Sequence, residues 1–548
     1  MRKAIAWLLA LTLPVGQLSG CAETQEDTDT GTEIHLDDAG ITVDGEAIST
    51  EETAAVYTAH DIVYYEDGHD FTYGEGTEAD AHTQAEADAH TVVHITQPGT
   101  YMLDGTLSAG QIAVDLGEDA EEAPEAVVTL ILNGVDITCT VAPAVIFYNV
   151  YECGSTDEDT ATETVDTSAA GANVIIADGT TNSVTGSYVA RIYDPDSVEL
   201  SEDGTEVVEE KKLHKYDGAF YSKMSMNVDG GEEGTGVLNI TADNEGLDTE
   251  LHLTIHGGNI NITSGNDGIN TNEDNVSVTT INGGTLNIQV TGETGEGDGI
   301  DSNGYLVING GTVTAAACST SGDAGIDAST GITINGGTVM ASGNMYDPID
   351  GGDQTYVVFS FASRQTGGET YTLQNADGET VGTWTPANDF TYLVVSSPDL
   401  TAGDYTLWQG DTQLAGSASE GMGGPGAMGG GQPGGGAPPA DGEAPADAPE
   451  LPEGAEPPSG GEVPEGEEPP AGEGAAEGEE PLAGEEPPPD VPERPEGEEP
   501  PAGGRPEDGT QSAAELSETF PLTEGGNFFT GIAPLETTED TASDTAET

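Results

Sequence analysis

Basic side chains are scarce in this sequence: 10 Lys+Arg stand against 102 Asp+Glu in 548 residues, a formal charge of −92 at pH 7. Such a chain repels nucleic acid and anionic lipid, which excludes both as partners recruited by its own charge. Aromatics make up only 5% and hydrophobic residues 35%, beside 78 Gly and 31 Pro. That is too little apolar material to wrap the whole chain around one core, so part of it is expected to be repetitive or disordered. Long hydrophobic runs are also missing. The longest, at 4–15, has about 12 residues, short of the roughly 20 that a membrane-spanning helix needs. Four cysteines without a CxxC or Cys/His spacing make neither a disulfide framework nor a zinc site.

The N-terminus points to export. Met1-Arg2-Lys3 is basic, the apolar stretch follows, and Leu18-Ser19-Gly20-Cys21 closes it with small residues and a cysteine. LSGC resembles a bacterial lipobox, which makes Cys21 the lipidation site and the mature N-terminus; a plain secretory signal is the alternative. A lipid anchor is then the expected link to the membrane, with the protein on the extracellular face of the cell. Cys139, Cys153 and Cys318 remain, so at most one disulfide can form within the chain, and Cys139 with Cys153 is the nearer pair. His60, His69, His82, His90 and His94 fall in an acidic stretch without recurrent ligand spacing, which reads as a solvated polar segment.

Composition divides the chain. Residues 1–21 read as a lipoprotein signal peptide and 22–55 as an acidic tether. A repeat-bearing β domain is expected over 56–353, a short β module over 354–416 and a Gly/Pro/Glu-rich linker over 417–515. The end, 516–548, reads as a strand with an acidic tail. Within 441–510 there are 23 acidic residues. They account for only part of the 102, so the presumed fold is acidic too.

The middle of the chain is periodic. LTIHGGNINIT (253–263), TTINGGTLNIQV (279–290), LVINGGTVTA (306–315) and ITINGGTVMA (332–341) share one pattern, and their first glycines, at 257, 283, 310 and 336, are 26, 27 and 26 residues apart. Such a period marks a repeat architecture. Each unit alternates apolar and polar residues, the periodicity of a strand with one buried face. The expected fold is all-β: a parallel β-helix with coils about 4.8 Å apart. A sandwich or propeller would also use the Asn-Gly turns, but gives no reason for a constant spacing. Stacking aligns Asn282, Asn309 and Asn335 in one column, read here as an inward amide ladder. The strands TYVVFSFAS and DFTYLVVSS lack the Gly-Gly corner and are expected to cap the solenoid.

A second element recurs beside each corner: EGLD (245–248), DGIN (267–270), DGID (298–301) and AGID (324–327), with PID (348–350) as a possible fifth. Stacked turns bring their carboxylates together, and two carboxylates 4 Å apart repel by about 1 kcal/mol even in water. With few basic residues to offset this, a hard cation is expected, and oxygen-only donors favour Ca²⁺. The candidate ligands are Asp248, Asp267, Asn270, Asp298, Asp301, Asp323, Asp327 and Asp350.

GTYMLDGTLSAGQIAVD (99–115), LILNGVDIT (130–138), ADGTTNSVTGS (177–187) and DGAFYSKMSM (217–226), taken with the NGG and DGI elements, resemble the carbohydrate-binding domain first described in clostridial cellulose degraders. The resemblance covers about 91–351. It implies a right-handed parallel β-helix, calcium bound through Asp267, Asp298, Asp301 and Asp327, and binding of an acidic polysaccharide such as polygalacturonate or pectin, without catalysis. Ala324 departs from the acidic or amide residue of that pattern, and an insertion containing EKKLHK (210–215) follows Ser187. A polysaccharide lyase of pectate-lyase type is the enzymatic alternative. It would need a Lys or Arg base, with Arg191, Lys211, Lys212, Lys215 and Lys223 as the available residues. A structural surface adhesin is the third reading.

Overall fold

The structure is a computed structural model that describes residues 31–201, 203–419 and 516–535. These belong to one compact unit, 1–427 with 514–548; the other unit, 428–513, lies outside the described residues. Cys21, the signal peptide and nearly all of the expected linker lie outside them as well.

Among the described residues the chain is nearly all β. Its one α-helix is a single turn, Gln84–Ala87, started by a Thr83 capping box. No helix is long and apolar enough to cross a membrane. The strands form large sheets of mixed direction, one of 26 strands and one of 8.

Within these sheets the repeats pair in parallel. One ladder runs through Met226–Asp229, Leu253–Ile255, Val278–Ile281, Tyr305–Ile308 and Gly331–Ile334, placing Ile255, Ile281, Ile308 and Ile334 in one column. A second runs through Thr181–Gly186, Val237–Ala242, Asn259–Ser264, Thr285–Val290, Thr312–Ala316 and Thr338–Gly343. A third joins Gly110–Asp115, Val145–Asn149, Gly218–Ser222, Glu245–Thr249, Ile269–Thr271 and Ile300–Ser302. Every pairing among the strands between 257 and 337 in the first two ladders is parallel.

The core forms where alternation turns the apolar side inward. Ile260, Ile262, Leu286, Ile288 and Val313 are at most 3% exposed. The Gly-Gly corners between the first two ladders are tight. The second glycine of each has positive φ, from 81° at Gly337 to 95° at Gly258. A Cβ on Gly284 would lie 2.6 Å from the Gly258 carbonyl oxygen, so backbone conformation and close approach both call for glycine.

Asn282, Asn309 and Asn335 do form a ladder, with Nδ2 of Asn309 and of Asn335 each donating over 2.9 Å to the preceding Oδ1. All three are exposed, so the ladder lies outside, not in the core. The reason is local: Leu306 and Ile308 face inward, and alternation sends Asn309 outward. The tether expected over 22–55 also needs correction. Thr32–Leu36, Thr42–Val43 and Glu46–Ala47 are strands, and the first pairs in parallel with Gly99–Leu107 because Ile34 and Leu36 bury their side chains there.

After the repeats, Thr338–Gly343 pairs antiparallel with Phe390–Ser396. Gly526–Pro534 enters between Tyr356–Gln365 and Thr412–Ser419. This module has its own apolar cluster, including Phe359, Phe361, Tyr371, Phe390, Phe520 and Phe529. Its rings meet mostly edge to face, as at Phe361 and Phe390. Cys139, Cys153 and Cys318 are free thiols.

Candidate functional site

The Gly residues of the DGI elements stand in a column where consecutive rungs touch. A Cβ on Gly246, Gly268 or Gly299 would meet the carbonyl oxygen of the next rung's glycine at 2.5, 2.6 and 2.3 Å. This contact explains why glycine recurs and why the flanking carboxylates share a register. Asp248, Asn270 and Asp301 are cross-rung partners. The leading acids link differently: Asp267 Oδ1 accepts from the Asp298 backbone N–H over 2.6 Å, and Asp298 Oδ1 accepts from the Ala324 N–H over 2.5 Å. The position of Ala324 therefore contributes a backbone donor, for which a methyl side chain suffices.

Three carboxylates converge at the start of this column. Asp217, Glu245 and Asp248 each place one ligand oxygen within 4.8 Å of the others, and all three are buried. No other group of three or more His, Cys, Asp and Glu among the described residues meets that geometry. Gly218 leaves the space: a Cβ there would lie 2.5 Å from the Asp248 Cβ. Asn270 Nδ2 donates to Glu245 Oε1 over 3.0 Å, and Asn272 Nδ2 to Asp248 Oδ1 over 2.6 Å. Glu245 Oε2, Asp248 Oδ2 and Asn270 Oδ1 are buried without a hydrogen-bond partner. Burial, and then mutual repulsion, push the Glu245 and Asp248 carboxyls well above the ordinary carboxylate range. Burial also raises Asp217, against the pull of Lys215.

Orphaned buried oxygens of this kind are costly unless something binds them. The donors are all oxygen, and three carboxylates face one lysine, so the set fits a hard cation such as Ca²⁺. Asp217, Glu245, Asp248 and Asn270 are the residues that would hold it.

The expected ligands divide accordingly. Asp248 and Asn270 join the cluster. Asp267, Asp298, Asp301 and Asp327 continue along the column, where burial followed by neighbouring carboxylates lifts Asp298 to about 9, Asp267 to about 8 and Asp301 to about 7, and raises Asp327. Asp323 Oδ2 accepts from the Gly297 N–H over 2.6 Å and from Ser321 Oγ. Asp350 is exposed. Asp347 lies beside the end of the column: its Oδ2 accepts from the Ala328 N–H over 3.3 Å, and burial and Asp327 lift its carboxyl to about 7. Asp217, Glu245 and Asp347 were not on the expected ligand list. A signal for the first was present, because Asp217-Gly218-Ala219 repeats the DG pair one coil earlier.

The insertion after Ser187 brings the basic residues here. Val189–Tyr193 pairs antiparallel with Lys212–Tyr216. The pair delivers Arg191, Lys212 and Lys215 to a groove of about 460 Å³ also lined by Glu75, Glu250, Asn272, Glu273, Asp274 and Asn303. Lys215 Nζ lies 2.7 Å from Asp217 Oδ2, Lys212 Nζ 2.6 Å from Glu250 Oε1, and Arg191 Nη1 2.8 Å from Glu75 Oε1. A roomier recess of about 650 Å³, lined by residues between 65 and 81, contains no buried unpaired polar atom.

A family model described as "Carbohydrate-binding domain-containing protein" matches residues 89–377, a span that holds the cluster and every basic residue of the groove. The chain belongs to this carbohydrate-binding domain-containing family. A curated relative in Acetivibrio thermocellus with the same description is 29% identical over 171 residues, 31% of this chain and 44% of the relative. The chain thus spans less than half of that relative's length. A solved structure of a polysaccharide lyase-like protein from C. thermocellum, a gadolinium derivative, aligns with 59% of this chain and 92% of its own, at 20% identity and a TM-score of 0.31.

Proposed function

We propose that this family member is a calcium-dependent, non-catalytic binder of an acidic polysaccharide of polygalacturonate or pectin type. The observation that carries the reading is the buried Asp217–Glu245–Asp248 cluster, joined through the Lys215–Asp217 contact to the groove lined by Arg191, Lys212 and Lys215. A chain of charge −92 repels a polyuronate. Attraction therefore has to come from bound cations and from the few basic residues, three of which, Arg191, Lys212 and Lys215, line one groove. Several such contacts along one glycan add by avidity.

The scaffold in this reading is a right-handed parallel β-helix over 56–353, closed by the β module of 354–416. Its support is the set of parallel ladders whose partners recur every 26 or 27 residues. Display at the cell surface through lipid on Cys21 belongs to the same reading and rests on the LSGC motif.

Lysine chemistry favours binding over elimination. A lyase base must be free to lose its proton at working pH. Burial lowers the Lys215 ammonium, but Asp217, Glu245 and Asp248 outweigh that effect and hold it above the ordinary lysine range. A lysine held protonated in this way suits a charged contact with a sugar carboxylate better than the part of a base.

The test is sedimentation with insoluble polygalacturonate. Retention is expected in calcium and loss in EGTA, with no ultraviolet-absorbing unsaturated product. Retention that survives chelation would reject the cation's role, and steady release of unsaturated uronides would make the protein a lyase.

A further inference from the structure

The outward positions of the first ladder are covered, unlike those of the second. Asn227, Thr254, Thr280, Val307 and Thr333 share one column, and alternation with Val228, Ile255, Ile281, Ile308 and Ile334 turns them away from the core. Yet Asn227, Thr254, Val307 and Thr333 are at most 9% exposed. The cover is a strap, 151–168, which leaves the coil after Val145–Asn149 and returns before Ala172–Ile176. Few bonds hold it down. Thr167 Oγ1 donates to Thr254 Oγ1 over 2.7 Å, and the Thr167 carbonyl accepts from Asn227 Nδ2 over 2.8 Å. Glu158 accepts from Asn275 Nδ2, and Glu163 from Thr333 Oγ1. From 155 to 168 only Ala161 and Val165 are apolar, so burial adds little to this hold.

One foot of the strap rests on a histidine. His252 is 2% exposed, and its Nδ1 accepts from the Val278 N–H over 3.1 Å, which puts the ring proton on Nε2. That Nε2 is buried without a partner. It faces the strap: a Cβ on Gly154 would lie 2.6 Å from it. Beside Gly154, Glu152 accepts from the Ser225 N–H over 2.6 Å, from Ser225 Oγ over 2.8 Å and from the Gly154 N–H over 2.6 Å. Ser225 and Val278, from the rungs on either side of His252, bring no ionisable side chain. From the strap, Glu152 is the carboxylate that acts on the ring, and Cys153 is a neutral thiol lifted to about 11 by burial and then by Glu152.

We propose that His252 is an acid-operated latch, and that a proton taken up by its ring releases the strap from the first ladder. A proton added at Nδ1 sets two donors, the new N–H and that of Val278, against each other, so the ring has to turn. The imidazolium then needs water or a free acceptor, and Glu152 is already engaged by three donors. Gly154 lies over Nε2, and the strap has the least apolar hold of the segments around the ring, so the strap is what moves. Burial outweighs Glu152 and keeps the ring below the ordinary histidine value of 6.5, so the closed strap binds the proton less tightly than the open one. Closure is therefore fully supported above that value and is lost as pH falls through the lower, closed-state value. Release uncovers Thr254, Thr280, Val307 and Thr333, a face that the closed strap keeps from any partner.

The experiment uses Cys153, half-buried in the strap, as the reporter. The full chain is labelled with dithiodipyridine between about pH 7.5 and 5, and peptide mass spectrometry reads each thiol against the urea-unfolded chain at the same pH. Protection of Cys153 should fall by up to about tenfold per pH unit below 6.5, while Cys139, 1% exposed, stays protected. His252→Asn, whose Oδ1 can accept from Val278 but takes up no proton, should keep Cys153 protected throughout. Gly154→Ala sets a methyl group against the ring and should expose Cys153 at neutral pH, which keeps the test decisive should the asparagine variant misfold. Circular dichroism checks the fold of each. Wild-type protection that does not fall with acid, an acid response retained by His252→Asn, or a folded Gly154→Ala as protected as wild type would overturn the latch. Loss of protection at Cys139 together with Cys153 would mean that the whole fold yields and would overturn it as well.

Discussion

Glu245→Gln together with Asp248→Asn tests the cation site most directly, because it keeps shape and removes charge. The cluster oxygens lie within 4.8 Å of one another, and at that limit two unit charges repel by about 3.5 kcal/mol at an effective dielectric constant of roughly 20. Three such pairs sum to about 10 kcal/mol. The Lys215–Asp217 contact at 2.7 Å returns about 6 kcal/mol on the same scale, leaving roughly 4 kcal/mol for a bound cation or protonation to offset. In EGTA, burial and repulsion favour the protonated form of Glu245 and Asp248, so amides in their place should change unfolding free energy by less than about 1 kcal/mol. In calcium at one hundred times Kd, wild type should gain about 2.7 kcal/mol and the variant should lose most of that increment. Denaturant unfolding with paired calcium and EGTA samples reads both numbers. A wild type indifferent to EGTA, or a variant that keeps the full calcium increment, would refute the reasoning.

Chelated protein should lose stability as pH rises from about 5 to 9. Asp267, Asp298 and Asp301 hold protons more tightly folded than unfolded, so their contribution is complete below the unfolded carboxylate range and disappears as pH passes their folded values near 7 to 9. Melting curves in EGTA across that range check the direction, and a rising melting temperature would contradict it. Gly299→Ala should destabilise by at least about 1 to 3 kcal/mol, because its Cβ would lie 2.3 Å from the Gly325 carbonyl oxygen; an unchanged denaturation midpoint would rule out the close approach. Phe529→Ala empties a 4% exposed position in the module core and should cost about 3 to 5 kcal/mol by the same measurement. Lys215→Met should weaken polygalacturonate retention while tightening calcium binding by calorimetry, since the cluster then lacks the ammonium paired with Asp217.

By itself the sequence determined the repeat, the all-β class and the strand faces, because these depend on spacing and alternation over a few residues. Gly284 and its equivalents could be read as corners for the same reason. The outward asparagine column was legible too, since Ile308 inward places Asn309 outward, and only the attraction of a buried amide ladder suggested otherwise. The strands within the expected tether were harder to see: Ile34 and Leu36 show an inward face only once Gly99–Leu107 lies beside them. Only the tertiary structure decided which carboxylates meet. Asp217 reaches Glu245 and Asp248 across rungs, and Lys215 and Arg191 arrive on an insertion with no counterpart in the other coils. Register within a repeat is a local property carried by each corner. Convergence of side chains far apart in sequence depends on loop lengths that differ from coil to coil, with Leu247, Ile269 and Ile300 stacked although 22 and then 31 residues separate them.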